Sequence, residues 1–199
     1  MTFIFRYDTI LLGEFETFLT EPFGEKTKLK EKSMNRTSPT LALCRGAIVA
    51  ALYVALTYVS FAFGLASGVI QLRLSEALCI LPLFLPEAIP GLAVGCLIAN
   101  LVTGSALWDI IFGSIATLIG AVGAYLLRRL PEKLKFVATI PTILANALIV
   151  PFVLIYAYGA TDGYFFILST VTIGEIISAG VFGTLLYYGM KKSKIERFL

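Results

Sequence analysis

The sequence predicts an all-α membrane protein: six transmembrane helices, with both ends of the chain on the cytoplasmic side. Three observations carry that expectation. Of the 199 residues, 58% are hydrophobic and only 15% charged, where a soluble globular domain has roughly half and a quarter. Between Gly46 and Leu127 the only charged side chains are Arg73, Glu76, Glu87 and Asp109, and between Phe136 and Met190 only Asp162 and Glu175. Such stretches have no aqueous surface to show. Finally, the basic residues collect at places that an even number of crossings puts on one side of the bilayer.

The chain divides into a polar head and a membrane body. Residues 1–36 hold six of the sixteen Lys/Arg and six of the thirteen Asp/Glu. No apolar run there approaches the roughly 20 residues needed to span, and the pattern of a secretory signal is missing. Composition shifts after Lys32, and Met34-Asn35-Arg36-Thr37 makes a short basic lead into the first hydrophobic segment. Translation is therefore expected to start at Met34, with residues 1–33 an upstream extension; the alternative is a cytoplasmic tail. Residues 34–199 form the membrane body.

Six hydrophobic segments follow, at about residues 42–63, 75–85, 88–103, 109–127, 136–158 and 164–190. The second, broken at Pro82 and Pro86, is too short to cross alone as an α-helix rising 1.5 Å per residue. It needs either the approach residues 68–74 or burial among its neighbours, where irregular backbone is tolerated. The positive-inside rule checks the count. Arg128, Arg129, Lys133 and Lys135 lie between segments four and five, Lys191, Lys192, Lys194 and Arg197 follow segment six, and Arg36 and Arg45 flank the start of segment one. With six crossings all of these fall inside, and the outer loops keep a single basic residue, Arg73.

Several chemistries are excluded. The chain has no histidine, which removes Ser-His-Asp and Cys-His nucleophile systems and HExxH zinc sites. Cys44, Cys79 and Cys96 lack CxxC spacing, so neither a metal site nor a disulfide framework is expected. No GxxxxGK[ST] loop is present, so ATP is not bound in the P-loop manner. No cofactor is expected, and the net charge of +3 flanks membrane segments rather than forming a nucleic-acid face.

Small residues mark surfaces of close helix approach. Ala47, Ala51 and Ala55 make a stripe on segment one that suits either the protein's own bundle or a partner subunit. Gly91 and Gly95 in segment three, and Gly113, Thr117, Gly120, Ala121 and Ala124 in segment four, read as internal packing.

Polar side chains inside the membrane carry the functional signal. A carboxylate at the bilayer centre costs at least about 2.5–3.5 kcal/mol, so one that persists faces a cavity or a partner. Glu175 lies near the middle of segment six and Asn146 near the middle of segment five. Asp109, Asn100, Arg73 and Glu76 lie toward the outer ends of their segments. The six together describe a pocket open to the outside. Four have a plainer role: Arg73 as a snorkelling side chain or the partner of Glu76 or Asp109, Asp109 as a helix N-terminal acid, Asn100 and Asn146 as interhelical glue; Glu175 is the hardest to explain structurally, since nothing local neutralises its charge. Trp108 reads as an interfacial anchor, and Tyr58, Phe63, Trp108 and Tyr164 are aromatics near the outer face able to stack on a ligand.

Gln71-x-Arg73-x-Ser75-Glu76-Ala77-Leu78, Leu81-Pro82, Gly91-Leu92-x-x-Gly95-Cys96-x-x-Ala99-Asn100 and Asp109-x-x-x-Gly113-Ser114 resemble the queuosine-precursor transporter (QueT) family. Ile140-Pro141-Thr142, Asn146-Ala147 and Gly174-Glu175 extend the likeness over about residues 35–192. The resemblance implies an S-component-like bundle: the substrate-binding part of an energy-coupling-factor (ECF) importer in the cell membrane, not an enzyme. It implies as partners a transmembrane coupling subunit and two ATPase subunits, and as cargo a deazaguanine, the aminomethyl precursor or queuine. It also turns the Ala47, Ala51 and Ala55 stripe toward the coupling subunit. The rival is an autonomous ion-coupled carrier with Glu175 or Asp109 as its proton site.

Overall fold

The computed structural model describes residues 38–65 and 71–193. The 1–33 extension, the expected start at Met34, and Lys194 and Arg197 lie outside the described residues. Ala42–Leu199 form one compact unit.

Among the described residues the chain is helical with no strand. Helix α1 runs Pro39–Ala62, a 3-10 helix Leu74–Leu83, α2 Ala88–Val102, α3 Leu107–Leu126, α4 Ile140–Tyr158, α5 Tyr164–Glu175 and α6 Gly183–Lys192. A π-helical stretch, Ile176–Phe182, joins α5 to α6, so these make one rod of 29 residues. Short 3-10 turns at Leu127–Arg129 and Glu132–Thr139 connect α3 to α4. Four rods have the length and apolar character to cross a membrane: Pro39–Ala62, Leu107–Arg129, Glu132–Tyr158 and Tyr164–Lys192. The other two helices, Leu74–Leu83 and Ala88–Val102, are apolar but shorter.

The short second segment gains reach by changing its geometry. A 3-10 helix rises about 2.0 Å per residue against 1.5 Å for an α-helix. Its ten residues therefore extend about 20 Å rather than about 15 Å. Arg73, just before it, pairs with Asp109 at the start of α3, while Phe84, just after it, stacks on Tyr187 of α6. Every residue from Ser75 to Pro82 is buried. Enclosure by neighbours shields the poorer 3-10 hydrogen bonds from lipid, which is what lets so long a run persist.

Small residues set the helix contacts. A Cβ added at Gly91 of α2 would lie 2.5 Å from the Gly46 carbonyl of α1, and one at Gly95 would lie 2.9 Å from Tyr53 Cβ. On α3, a Cβ at Gly120 would lie 2.5 Å from Thr142 Oγ1 of α4. These small surfaces face the bundle's own interior. Ala47, Ala51 and Ala55 do the opposite: all three are exposed, while Val49, Tyr53, Thr57 and Ser60 turn α1's buried side inward. The core between α1, the 3-10 helix and α2 is Val49, Leu78, Leu81, Leu92 and Cys96.

Two contacts sort the ends of the bundle. Lys191 of α6 pairs with Glu132 in the α3–α4 connection, so that connection and the end of α6 share one face. The Ala106 amide before α3 donates to Tyr158 Oη at the end of α4, 3.0 Å away, on the opposite face.

Candidate functional site

A cavity of about 420 Å³ opens at that opposite face, lined by Thr57, Phe61, Gln71, Arg73, Asn100, Asp109, Leu154 and Tyr158 among others. Its charged feature is an ion pair: Arg73 Nη2 lies 3.3 Å from Asp109 Oδ2. Asp109 sits in the first turn of α3, where the helix dipole favours an anion. Tyr158 donates its hydroxyl to the same Oδ2 at 3.2 Å, and Asn100 Nδ2 donates to the Asp109 backbone carbonyl at 3.2 Å. The second carboxylate oxygen, Oδ1, is buried with no protein partner. Of the plain alternatives for Arg73, the geometry selects pairing with Asp109 and not with Glu76.

Glu76 lies further in. Arg73 precedes the 3-10 helix in extended backbone, and Glu76 lies in the helix's first turn. Glu76 is 2% exposed. Tyr53 donates its hydroxyl to Oε1. Cys79 Sγ donates to Oε2 at 3.3 Å, and Asn146 Nδ2 reaches Oε2 at 3.4 Å. Thr117 Oγ1 is 3.5 Å from Oε1. Glu175, 6% exposed, has a buried Oε2 with no hydrogen-bond partner, and the buried hydroxyls of Ser178, three residues on, and of Thr142 in α4 have none either. Gly174 lets α5 press against the chain leading into the 3-10 helix: a Cβ there would collide with the Gln71 carbonyl.

The six candidate residues thus fall into two groups. Arg73, Asn100 and Asp109 line the cavity; Glu76, Asn146 and Glu175 are buried in the bundle interior. The hydrogen-bond donors to Glu76 are all neutral, and the ion pair that Arg73 makes is with Asp109. A buried anion without a counter-charge is costly. The arrangement therefore suits a guest that brings its own N–H donors or positive charge.

Sequence reasoning missed Tyr53, Thr57, Thr117, Gln71 and Tyr158. Tyr53, Thr57 and Ser60 repeat at helical spacing on α1's buried side, and that polar stripe was a readable signal. Tyr158 carried none, since only the packing of α4 against the start of α3 brings it to Asp109. The aromatics expected to stack on a ligand are placed elsewhere. Tyr58, Phe63 and Trp108 are exposed on the outer surface, and Tyr164 packs on Phe152 with ring centroids 5.2 Å apart. The cavity's aromatic walls are Phe61 and Tyr158.

A bundle of apolar helices enclosing a charged cavity open at one end fits a membrane transporter. The family model described as QueT transporter matches residues 43–192. The chain belongs to the QueT transporter family and is a multi-pass membrane protein. No curated protein and no solved structure matches it.

Proposed function

We propose that the protein is the substrate-binding S component of an ECF importer. It takes a queuosine precursor, the aminomethyl deazaguanine or queuine, from outside, with its basic face in the cytoplasm. Partner ATPases acting through a coupling subunit supply the energy. The observation that carries this reading is the cavity lined by Arg73, Asn100 and Asp109, with Glu76, Asn146 and Glu175 buried inward of it. Its volume lies in the range of small-molecule sites. A guanine-like edge offers adjacent N–H donors that a carboxylate accepts in pairs, and a carbonyl to which Asn or Arg can donate. An aminomethyl cation answers the second acid. Exposure of Ala47, Ala51 and Ala55 supports a docking face for the coupling subunit.

The deciding experiment is binding of queuine, the aminomethyl precursor and riboflavin to purified protein, repeated with Glu175→Gln. Deazaguanine binding that riboflavin does not share, lost in the variant, is the expected result. Equal affinity in the variant removes Glu175 from the site, and no deazaguanine binding at all overturns the assignment. The rival carrier draws on the unpartnered Glu175 oxygen, whereas Asp109 is already held by Arg73. Uptake by the isolated protein in vesicles, driven by a pH gradient alone, would establish it instead.

A further inference from the structure

Helices α3 and α4 cross closely where Gly120 meets Thr142 and Gly123 meets Pro141. Bulky apolar side chains rim the crossing and leave a trough on the outer surface of the bundle. One part of it, a cavity of about 610 Å³, is lined by Trp108, Phe112, Phe152 and Tyr156. A second part, about 470 Å³, is lined by Leu127, Val137, Ile140 and Leu144. Leu148 and Ile149 line both, so the two are one groove running along the helix pair.

Charge is concentrated at one end of it. Leu127 and Val137 bound the groove there, and the chain between them carries Arg128, Arg129, Lys133 and Lys135. Arg129 and Lys133 are exposed. The Arg128 guanidinium lies 3.8 Å over the Tyr125 ring, and Lys135 Nζ donates to the Arg128 carbonyl at 2.5 Å. The acid of this stretch, Glu132, is taken by Lys191. Among the described residues none of the four cations lies in ion-pair contact with a carboxylate, although the Lys135 charge still acts on Glu132. An apolar channel that ends in unpaired positive charge at a membrane face matches one amphiphile: hydrocarbon chains with an anionic head.

We propose that this groove seats an anionic glycerophospholipid, its acyl chains along α3 and α4 and its phosphate held by Arg128, Arg129, Lys133 and Lys135. A basic connection serving topology alone needs no groove beside it, and a helix pair wetted by bulk lipid needs no local charge. The juxtaposition of both is what selects a bound lipid.

Native mass spectrometry of the purified protein, titrated with phosphatidylglycerol or with phosphatidylcholine of the same chains, tests this. One phosphatidylglycerol should stay bound under activation that strips phosphatidylcholine. Each charge removed should weaken retention roughly fivefold, the factor that about 1 kcal/mol per basic residue corresponds to. The triple variant Arg128→Gln/Arg129→Gln/Lys133→Gln should therefore fall to the phosphatidylcholine level. Arg129→Gln alone, at an exposed position, gives the partial loss if the triple variant does not fold. Leu148→Trp fills the groove at a position 58% exposed and should lower phosphatidylglycerol retention with every charge intact. Equal retention of the two lipids by the unaltered protein overturns the proposal. So does full retention by Leu148→Trp, which would leave only a basic loop, or a dimer that Leu148→Trp abolishes, which would make the groove a contact between copies.

Discussion

Asp109 is bound by three elements at once: Arg73 ahead of the 3-10 helix, Asn100 of α2 and Tyr158 of α4. Removing one charge of its ion pair strands the other in a low-dielectric setting, which costs about 3–5 kcal/mol for a fully buried pair. Because the Arg73 side chain keeps 18% of its exposure, we expect Arg73→Gln to lose roughly 2–3 kcal/mol. The double variant Arg73→Gln/Asp109→Asn should be milder than the sum of the singles, a coupling that thermal unfolding of the ligand-free protein in detergent would measure. One layer in, Tyr53→Phe deletes the hydroxyl donated to Glu76 and leaves a buried carboxylate oxygen short of a donor. A loss of about 1–3 kcal/mol is expected, read as a lower unfolding temperature with helix content unchanged.

At the scale of elements, two departures from regular α-helix lie beside the inner acids. The 3-10 helix stretches ten residues across the interior, and the π-helical stretch begins right after Glu175. The 3-10 helix packs against both the π-helical stretch and the start of α6, where a Cβ at Gly183 would lie 3.4 Å from the Ala77 carbonyl. Irregular backbone of this kind recurs at functional sites, and here it brackets the inner acids. Gly174→Ala drives a methyl group into the Gln71 carbonyl. It should cost about 1–3 kcal/mol by overpacking and weaken deazaguanine binding by shifting Glu175. Gly180→Ala is the matched control: its nearest neighbour would be a side-chain atom, Ile143 Cδ1, at 3.6 Å. Unfolding temperature and ligand affinity, measured on both variants, should separate them cleanly.

For the whole molecule, the proposed transport cycle requires a face that is not used internally, and the outward Ala47, Ala51 and Ala55 stripe offers one. Ala51→Trp should leave deazaguanine affinity of the isolated protein unchanged while blocking co-purification with the coupling subunit; unimpaired assembly would move the interface elsewhere. The sequence by itself determined the helical class, the six apolar segments and the polar residues proposed for the candidate site. Lipid tolerates so few charges and so little open backbone that Arg73, Asp109 and Glu175 stand out against the apolar runs, and hydrophobic length alone marks most helices. It did not determine how those polar groups divide. The same charge pattern allowed Arg73 to meet Glu76 or Asp109, and a one-pocket ring of six or two nested groups. Only the tertiary structure decided this, because the 3-10 rise, the packing of the end of α4 on the start of α3 and the close seat of Gly174 against Gln71 are properties of packed elements. Their consequences, from Tyr158 on Asp109 to Tyr53 on Glu76, join residues 49 and 23 positions apart in the chain, beyond the reach of any local spacing.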